Sequence, residues 1–485
     1  MRFAPPGALL AGLVAFAGLV GSIGPAGAET AGAPGAVAPN VLLISVDTLR
    51  ADHLGCYGYP RATSPVLDAL AERSVRFADV HAPTPWTLPS HAAMLTGRHA
   101  HELGILDKAG RIPDAAATVA ELLRARGYQS AAFVDSGPGG NVGASRGFAR
   151  GFDVFEHGPH GGGGRFQHDA ALTVDAGLAW LAKRDPARPF FLFLHTKSVH
   201  AAPVDDPAAG FAPYTKPESY VARFLPGGKP SFPWSEGELR GQRYLFEVNR
   251  RLSDGRVAKA AFPPAQREEL AALYDAGVYY VDEQLGRLFA ALEAQGLAAG
   301  TVVLVTSDHG EAFLEREFFL HQELFHALIH VPLLLHDPRR PEARVVDRTV
   351  HLEDVAPTIL ALAGASAPAE MTGRSLLADG APPSAPRVTY FRFAKDAGYE
   401  AYGLEDGPWL LLHEKTARDG AFRSELVALH PAEAAALDPA ARAARERTMR
   451  DGLLAQVGGI LARPPEEKAV EPERLEELRA LGYVE

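Results

Sequence analysis

Two apolar runs, each closed by an acidic residue, constrain this chain more than anything else in it. Val41 to Val46 is rich in branched aliphatic residues and runs into Asp47, and Val302 to Thr306 runs into Ser307-Asp308-His309-Gly310. Near-continuous apolarity without alternation suits a strand buried on both faces of a parallel sheet. Further apolar runs at Ser130 to Val134 and Phe190 to Leu194 alternate with helical spacing at Pro65 to Arg73, Thr118 to Arg126, Ala171 to Lys183 and Tyr274 to Leu292. This order predicts an α/β fold with a doubly wound, mostly parallel sheet. Ligands bind such sheets at the carboxyl ends of the strands. Asp47, His195 and Asp308 each follow an apolar run, so all three belong on one rim.

Between the first two strands lies Thr87-Leu88-Pro89-Ser90-His91, which leads into a helix expected from Ser90 to Thr96. Thr87 can begin that helix as its cap, present a hydroxyl to an anion at the helix N-terminus, or do both. A hydroxyl, an aspartate at a strand end and a late Asp-His pair are the parts of a metal site with a coordinated alkoxide. A divalent cation lowers the pKa of a bound hydroxyl and offsets charge on a transferred group. The expected ligands are Asp47, Thr87, Asp308 and His309. Mixed carboxylate and imidazole donors favour Zn²⁺ or Mn²⁺, with Ca²⁺ possible as the all-oxygen alternative.

The segments VLLISVDTLRADHLGCYGY (41–59), TLPSHAAMLTGRHAHELG (87–104) and PFFLFLHTKSVH (189–200) carry a family resemblance. It continues through VYYVDEQLGRLFAAL (278–292), TVVLVTSDHGEAF (301–313), FHALIHVPLLL (325–335), EDVAPTILALAG (353–364) and the closing LRALGYVE. From Asn40 to its end the chain resembles the sulfatase family of the alkaline phosphatase superfamily. The departure is at the centre: sulfatases carry C-x-P-S-R or S-x-P-S-R, whose first residue becomes formylglycine. Here Thr87 and His91 hold the first and fifth places, so no formylglycine is expected, and the sole cysteine, Cys56, lies elsewhere. T-x-P-S-H is similar to the T-x-P-N-H motif of nucleotide pyrophosphatase/phosphodiesterases, in which a threonine attacks phosphorus directly.

The resemblance implies further roles. His91 stands in place of the arginine that steadies the nucleophile. Arg98 and His101 fall in a basic region that contacts the anionic ester. His200 matches a histidine near the leaving group, where it could act as general acid, and His195 is a further candidate for substrate contact. His321 falls near the position of an ester-binding lysine. His200 and His321 together raise a second-metal possibility, although Thr196 replaces the aspartate of the phosphodiesterase pattern. Asp47-Thr48 replaces the usual Asp-Asp, so one carboxylate ligand is missing.

The N-terminus reads as a secretory signal over residues 1–28, with Arg2, an apolar stretch from Ala8 to Val20 and Ala26-Gly27-Ala28. Its apolar core is too short for a stable membrane span. The destination is then periplasmic or secreted. A linker (29–39), a catalytic domain (40–386) and a small C-terminal antiparallel α+β subdomain (387–485) complete the expected organisation. The subdomain is expected to hold strands Val388 to Phe393, Tyr399 to Leu404 and Trp409 to His413, and a helix Glu471 to Leu481. Residues 201–257 show little periodicity and suit a covering loop, and Gly161 to Gly164 suits a turn. The net charge of −11 argues against nucleic-acid partners. The expected function is an exported, metal-dependent hydrolase of phosphate or sulfate esters of a small molecule, glycan or lipid headgroup, acting through Thr87. Alternatives are a formylglycine-independent sulfuric ester hydrolase, a phosphoryl-group transferase, and a glycan-binding pseudoenzyme.

Overall fold

The computed structural model describes residues 38–106, 110–158, 169–201, 212–214, 216–341, 343–377, 386–392, 399–416, 421–429 and 437–461. The expected signal segment, nearly all of the linker, the Gly161 to Gly164 turn and the helix Glu471 to Leu481 lie outside these residues.

In chain order the first strands are β1 (Asn40–Val46), β2 (Val75–Phe77), β3 (Val80–His81), β4 (Gln129–Val134), β5 (Val154–His157) and β6 (Phe190–Thr196). They are followed by β7 (Thr301–Thr306), β8 (Ala312–Phe313), β9 (Phe319–Leu320), β10 (Leu333–His336), β11 (Arg344–Val346) and β12 (Val350–His351). Eight of them form one sheet in the order β11-β2-β10-β7-β1-β6-β4-β5, parallel except around β10. The helices that cover it include α1 (Pro65–Ala71), α2 (Thr87–Thr96), α3 (Val119–Arg124), α4 (Ala170–Leu181), α5 (Glu218–Phe224), α6 (Gly241–Ser253) and α7 (Pro264–Ala294).

Strand side chains alternate between faces, and both faces here are apolar. Leu42, Ile44, Leu192, Leu194, Val303 and Val305 join the core beneath α1, α4 and α7. Val41, Leu43, Phe191, Phe193, Val302 and Leu304 join the core beneath α2, α3 and the helix Val355–Leu362. Burying each such side chain contributes about 1.5–3 kcal/mol, and this is why the central strands read as unbroken apolar runs. The doubly wound α/β architecture is therefore present.

Three elements differ from expectation. α7 begins at Pro264, ten residues ahead of Tyr274, because a proline in the first turn lacks only an N–H that would go unpaired there. The stretch 201–257 contains α5 and α6. α6 buries Tyr244, Leu245 and Val248 at helical spacing, a stripe that the surrounding arginines hide in the sequence. The C-terminal region adds the helix Pro439–Leu461 to β13 (Arg387–Arg392), β14 (Tyr399–Asp406), β15 (Trp409–Thr416) and β16 (Arg423–Ala428).

These last four strands form an antiparallel sheet in sequence order. One face packs Tyr390, Tyr402, Leu404 and Leu411 with Met449, Leu453 and Val457 of the final helix. The other face turns Phe391, Tyr399, Ala401, Leu410 and Leu412 into the main core. Among the described residues no helix is long and apolar enough to cross a membrane.

Candidate active site

Parallel pairing sets the floor of the site. Ser45 pairs with Thr306 on one side and His195 on the other. Continuing that register by two residues brings Asp47 level with Asp308 and with Lys197. Ser307 organises the turn after β7: its hydroxyl accepts from the Leu49 N–H (2.9 Å) and donates to the His309 carbonyl (2.8 Å). Gly310 follows because a Cβ there would lie 2.1 Å from the Ala327 carbonyl oxygen.

Asp47, Asp308 and His309 are all fully buried, and their ligand atoms lie within 4.8 Å of one another. His309 Nε2 is 3.7 Å from Asp47 Oδ1 and 3.4 Å from Asp308 Oδ2. Its Nδ1 lies 2.9 Å from the Gly310 carbonyl and carries a proton there, so Nε2 is the nitrogen that faces the two carboxylates; burial opposes a charge on this ring, but Asp308 and Asp47 outweigh it and raise its pKa. Asp308 Oδ1 accepts from the backbone N–H groups of Thr48 and His309, whereas Asp308 Oδ2 and both oxygens of Asp47 have no hydrogen-bond partner. Unpaired buried carboxylate oxygens are costly, and a divalent cation would satisfy all three. The donor set fits such an ion, and its nitrogen suits zinc or manganese better than calcium.

The local electrostatics agree. Burial, reinforced by the Asp47 charge, pushes the Asp308 carboxyl up to about 6. Burial also opposes the Asp47 charge, but His195, His309 and Lys197 outweigh it and hold that carboxyl well below the usual range. Two buried carboxylates thus share one small volume with cationic neighbours. Thr48, where the family's second aspartate is expected, adopts φ +62°. That left-handed conformation strains a β-branched residue by roughly 1–3 kcal/mol. It lets the N–H reach Asp308 while the carbonyl accepts from Tyr274 (2.7 Å).

Thr87 is the first helical residue of α2, since Trp86 is still extended at φ −144° and ψ 130°. The helix starts three residues before Ser90 because Pro89 is tolerated within a first turn. Thr87 Oγ1 lies 3.4 Å from His309 Nε2. One turn later, His91 Nδ1 donates to the Thr87 carbonyl (2.8 Å) while its Nε2 accepts from Ser45 Oγ (2.9 Å). Burial and the nearby His195 hold the His91 pKa well below its usual value. His91 is therefore a neutral clamp on the backbone of Thr87, not a partner of its hydroxyl.

A model of the sulfatase family matches residues 39–365, about two thirds of the chain. The chain belongs to the sulfatase family. It is similar to a sulfatase of Formosa agariphila, at 25% identity over 378 residues that cover 70% of this chain and 72% of the relative. It is also similar to an N-acetylglucosamine-6-O-sulfatase of Bacteroides thetaiotaomicron, at 24% identity over 395 residues and 70% of each chain. Its fold matches a phosphonate monoester hydrolase of Agrobacterium radiobacter with a TM-score of 0.64 and 20% identity, over 87% of this chain and 96% of that one. The protein is an ester hydrolase of this family.

The remaining residues of this sulfatase-family chain divide into two places. His195 Nε2 stands 3.4 Å from Asp47 Oδ2, and its ring meets His91 edge-on at 4.8 Å. His200 donates from Nδ1 to the Ala201 carbonyl (2.9 Å), and its ring lies 5.2 Å from that of His321, which in turn lies 4.6 Å from His309. Burial lowers the His200 pKa to about 4, so the imidazole is neutral near pH 7 in the free site. His200 and His321 are not in any of the groups of three or more potential ligands that converge within 4.8 Å among the described residues. Arg98 and His101 sit beyond the far end of α2, about 14 Å along the helix from Thr87. His101 stacks on His99 at 5.5 Å, and His99 in turn pairs with Glu353.

Two functional candidates escaped the sequence reading. Lys197 is only 2% exposed, and its charge acts on Asp47, His200 and His321. A lysine directly after a seven-residue buried strand was the available signal. Glu311, fully buried, lies 3.2 Å from His321 Nδ1. Burial raises its pKa to about 7, against the opposing charge of His309.

Proposed function

We propose that this chain is an exported, metal-dependent hydrolase of phosphate or sulfate esters in which the Thr87 hydroxyl itself is the nucleophile. One observation carries the reading: Thr87 Oγ1 is held 3.4 Å from His309 Nε2, beside carboxylate oxygens of Asp47 and Asp308 that make no hydrogen bond. A cation held by Asp47, Asp308 and His309 would supply alkoxide activation and charge neutralisation. His91 fixes the backbone of the attacking residue, and the N-terminus of α2 offers positive potential to the anionic group. Lys197 adds a buried positive charge on the same side. The Thr87 hydroxyl releases its proton to solvent, and Oγ1 forms a bond to phosphorus or sulfur as the bond to the leaving oxygen breaks. An anionic ester beside His200 favours its protonated form, which donates to that leaving oxygen. Water then gives a proton to the now neutral His200 and cleaves the threonine ester, and Thr87 regains its proton from solvent.

The names of the relatives support a sugar sulfate or a phosphonate-like monoester as the substrate class. Thr87 favours phosphorus. A formylglycine hydrate expels sulfate by collapsing to an aldehyde, and a threonine ester has no such route. The test compares an aryl phosphate with the matching aryl sulfate on protein whose 85–98 peptide is shown by mass spectrometry to carry unmodified threonine. The expected outcome is a higher kcat/KM for the phosphate, with both activities falling by roughly a thousandfold or more in Thr87→Ala. Faster turnover of the sulfate, or activity that survives Thr87→Ala, would overturn the assignment.

A further inference from the structure

A second cluster of ligand-type side chains lies at the seam between the main sheet and the C-terminal sheet, outside the site described above. His81 is central to it and fully buried, with Asp79 and Glu405 on either side at 3% and 5% exposure. Its Nε2 lies 2.9 Å from Asp79 Oδ1, and its Nδ1 lies 2.5 Å from Glu405 Oε2. His326 Nε2 is 3.9 Å from the same Asp79 oxygen and, although buried itself, has no hydrogen-bond partner. These ligand atoms of Asp79, His81 and His326 all fall within 4.8 Å of one another.

We propose that Asp79, His81 and His326 form a second divalent-cation site, with zinc-type chemistry, that joins the C-terminal sheet to the catalytic core. Tetrahedral zinc with bonds of about 2.0–2.1 Å needs ligand atoms about 3.3 Å apart, and the 2.9 and 3.9 Å spacings bracket that value. The surroundings orient each donor. Glu405 is at hydrogen-bond distance from His81 Nδ1, too close to share an ion with it. It therefore fixes the tautomer that leaves Nε2 as the donor, the carboxylate–histidine arrangement that supports metal-bound imidazoles. Thr349 Oγ1 donates to Asp79 Oδ2, and Oδ1 is the oxygen that faces both His81 Nε2 and His326 Nε2. His326 stacks on His330 at 4.7 Å, which sets its ring plane.

Charge points the same way. Asp79 and Glu405 bring two negative charges into a buried seam, where His81, His326 and His351 face them. A divalent ion with neutral His81 balances both, where an unbalanced buried charge is costly. The side chain of His326 is 35% exposed although its Nε2 is buried, so the ring lies between the site and water and its movement would give the ion a way in. His351 Nε2 lies 3.3 Å from Glu405 Oε2 on the other side of His81. It marks the competing position for an ion, on Nδ1.

The site is independent of the activity proposed above, and the experiment keeps the two apart. Full-length protein, Asp308→Ala, His326→Ala and His351→Ala are each equilibrated with zinc, dialysed and assayed for metal per chain. Circular dichroism confirms the fold of each variant. We expect His326→Ala to lose one equivalent relative to the parent, and His351→Ala to retain it. The retained ion should show at least two imidazoles by X-ray absorption in Asp308→Ala. A His326→Ala variant with the parent's metal content overturns the proposal, as does loss of the ion in His351→Ala alone. If Asp308→Ala leaves the metal content unchanged while His326→Ala removes it, the seam site stands and the catalytic metal reading fails.

Discussion

Thr87, His91 and Lys197 of the candidate site differ in what each atom touches. Thr87 presents its hydroxyl to His309, while His91 uses both ring nitrogens on the Thr87 carbonyl and the Ser45 hydroxyl. Lys197 supplies a buried charge, and its backbone N–H separately bonds Asp135 Oδ2 at 3.1 Å, a contact that a substitution of the side chain keeps. Lys197→Gln is expected to lower kcat/KM for an anionic ester by about a hundredfold or more, with an unchanged melting temperature. A calorimetric scan beside steady-state kinetics checks both halves. Arg98→Ala, beyond the far end of α2, should leave kcat/KM close to that of the parent. A large loss there would mean that substrate extends well past the pocket.

Among the elements, α1 shows how a short helix is held by a distant one. Asp282 of α7 is 1% exposed, and its carboxylate accepts from the backbone N–H groups of Val66 and Leu67, each at 2.8 Å. These are first-turn donors that α1 cannot pair internally, and Ser64 before them makes no side-chain cap. Asp282→Ala should cost about 2–3 kcal/mol, because two buried donors lose their acceptor. Urea unfolding monitored by circular dichroism measures it, with an unchanged slope expected. The same long-range logic explains why α6 was missed: its stripe of Tyr244, Leu245 and Val248 matters only because a core lies beneath it.

At the scale of the whole molecule, the seam with the C-terminal sheet carries several buried ion pairs. Glu353 is 1% exposed, 2.8 Å from His99 Nδ1, with Arg387 of β13 at 3.8 Å. Burial alone would raise its pKa, but His99 and Arg387 outweigh it and hold the carboxyl well below the ordinary glutamate value of 4.5. A folded-state pKa below the unfolded one gives stability that is present above the unfolded value and is lost as pH falls toward the folded one. Stability should therefore decline as pH drops through about 4.5, and Glu353→Gln should flatten that acid limb while lowering stability at neutral pH. Urea midpoints measured between pH 3 and 7 on both proteins, buffered at about 0.1 M salt, check it. An acid limb of equal steepness in the variant would remove Glu353 as its source.

The sequence by itself determined the sheet and the rim that carries the candidate metal ligands. A strand buried on both faces must be apolar throughout, so β1, β6 and β7 are visible as runs, and whatever follows each run lands at a carboxyl end. Asp47, Asp308 and His309 were legible for that reason, and Thr87 through its motif. Only the tertiary structure decided what each polar side chain faces. That depends on strand register, on which helix end abuts the sheet, and on burial, none of which is local in sequence. It brought Lys197 and Glu311 into the pocket, turned both nitrogens of His91 away from the Thr87 hydroxyl, and put Arg98 and His101 past the other end of α2. It also joined Asp79 and His81 to His326 and Glu405, which no spacing along the chain would place together.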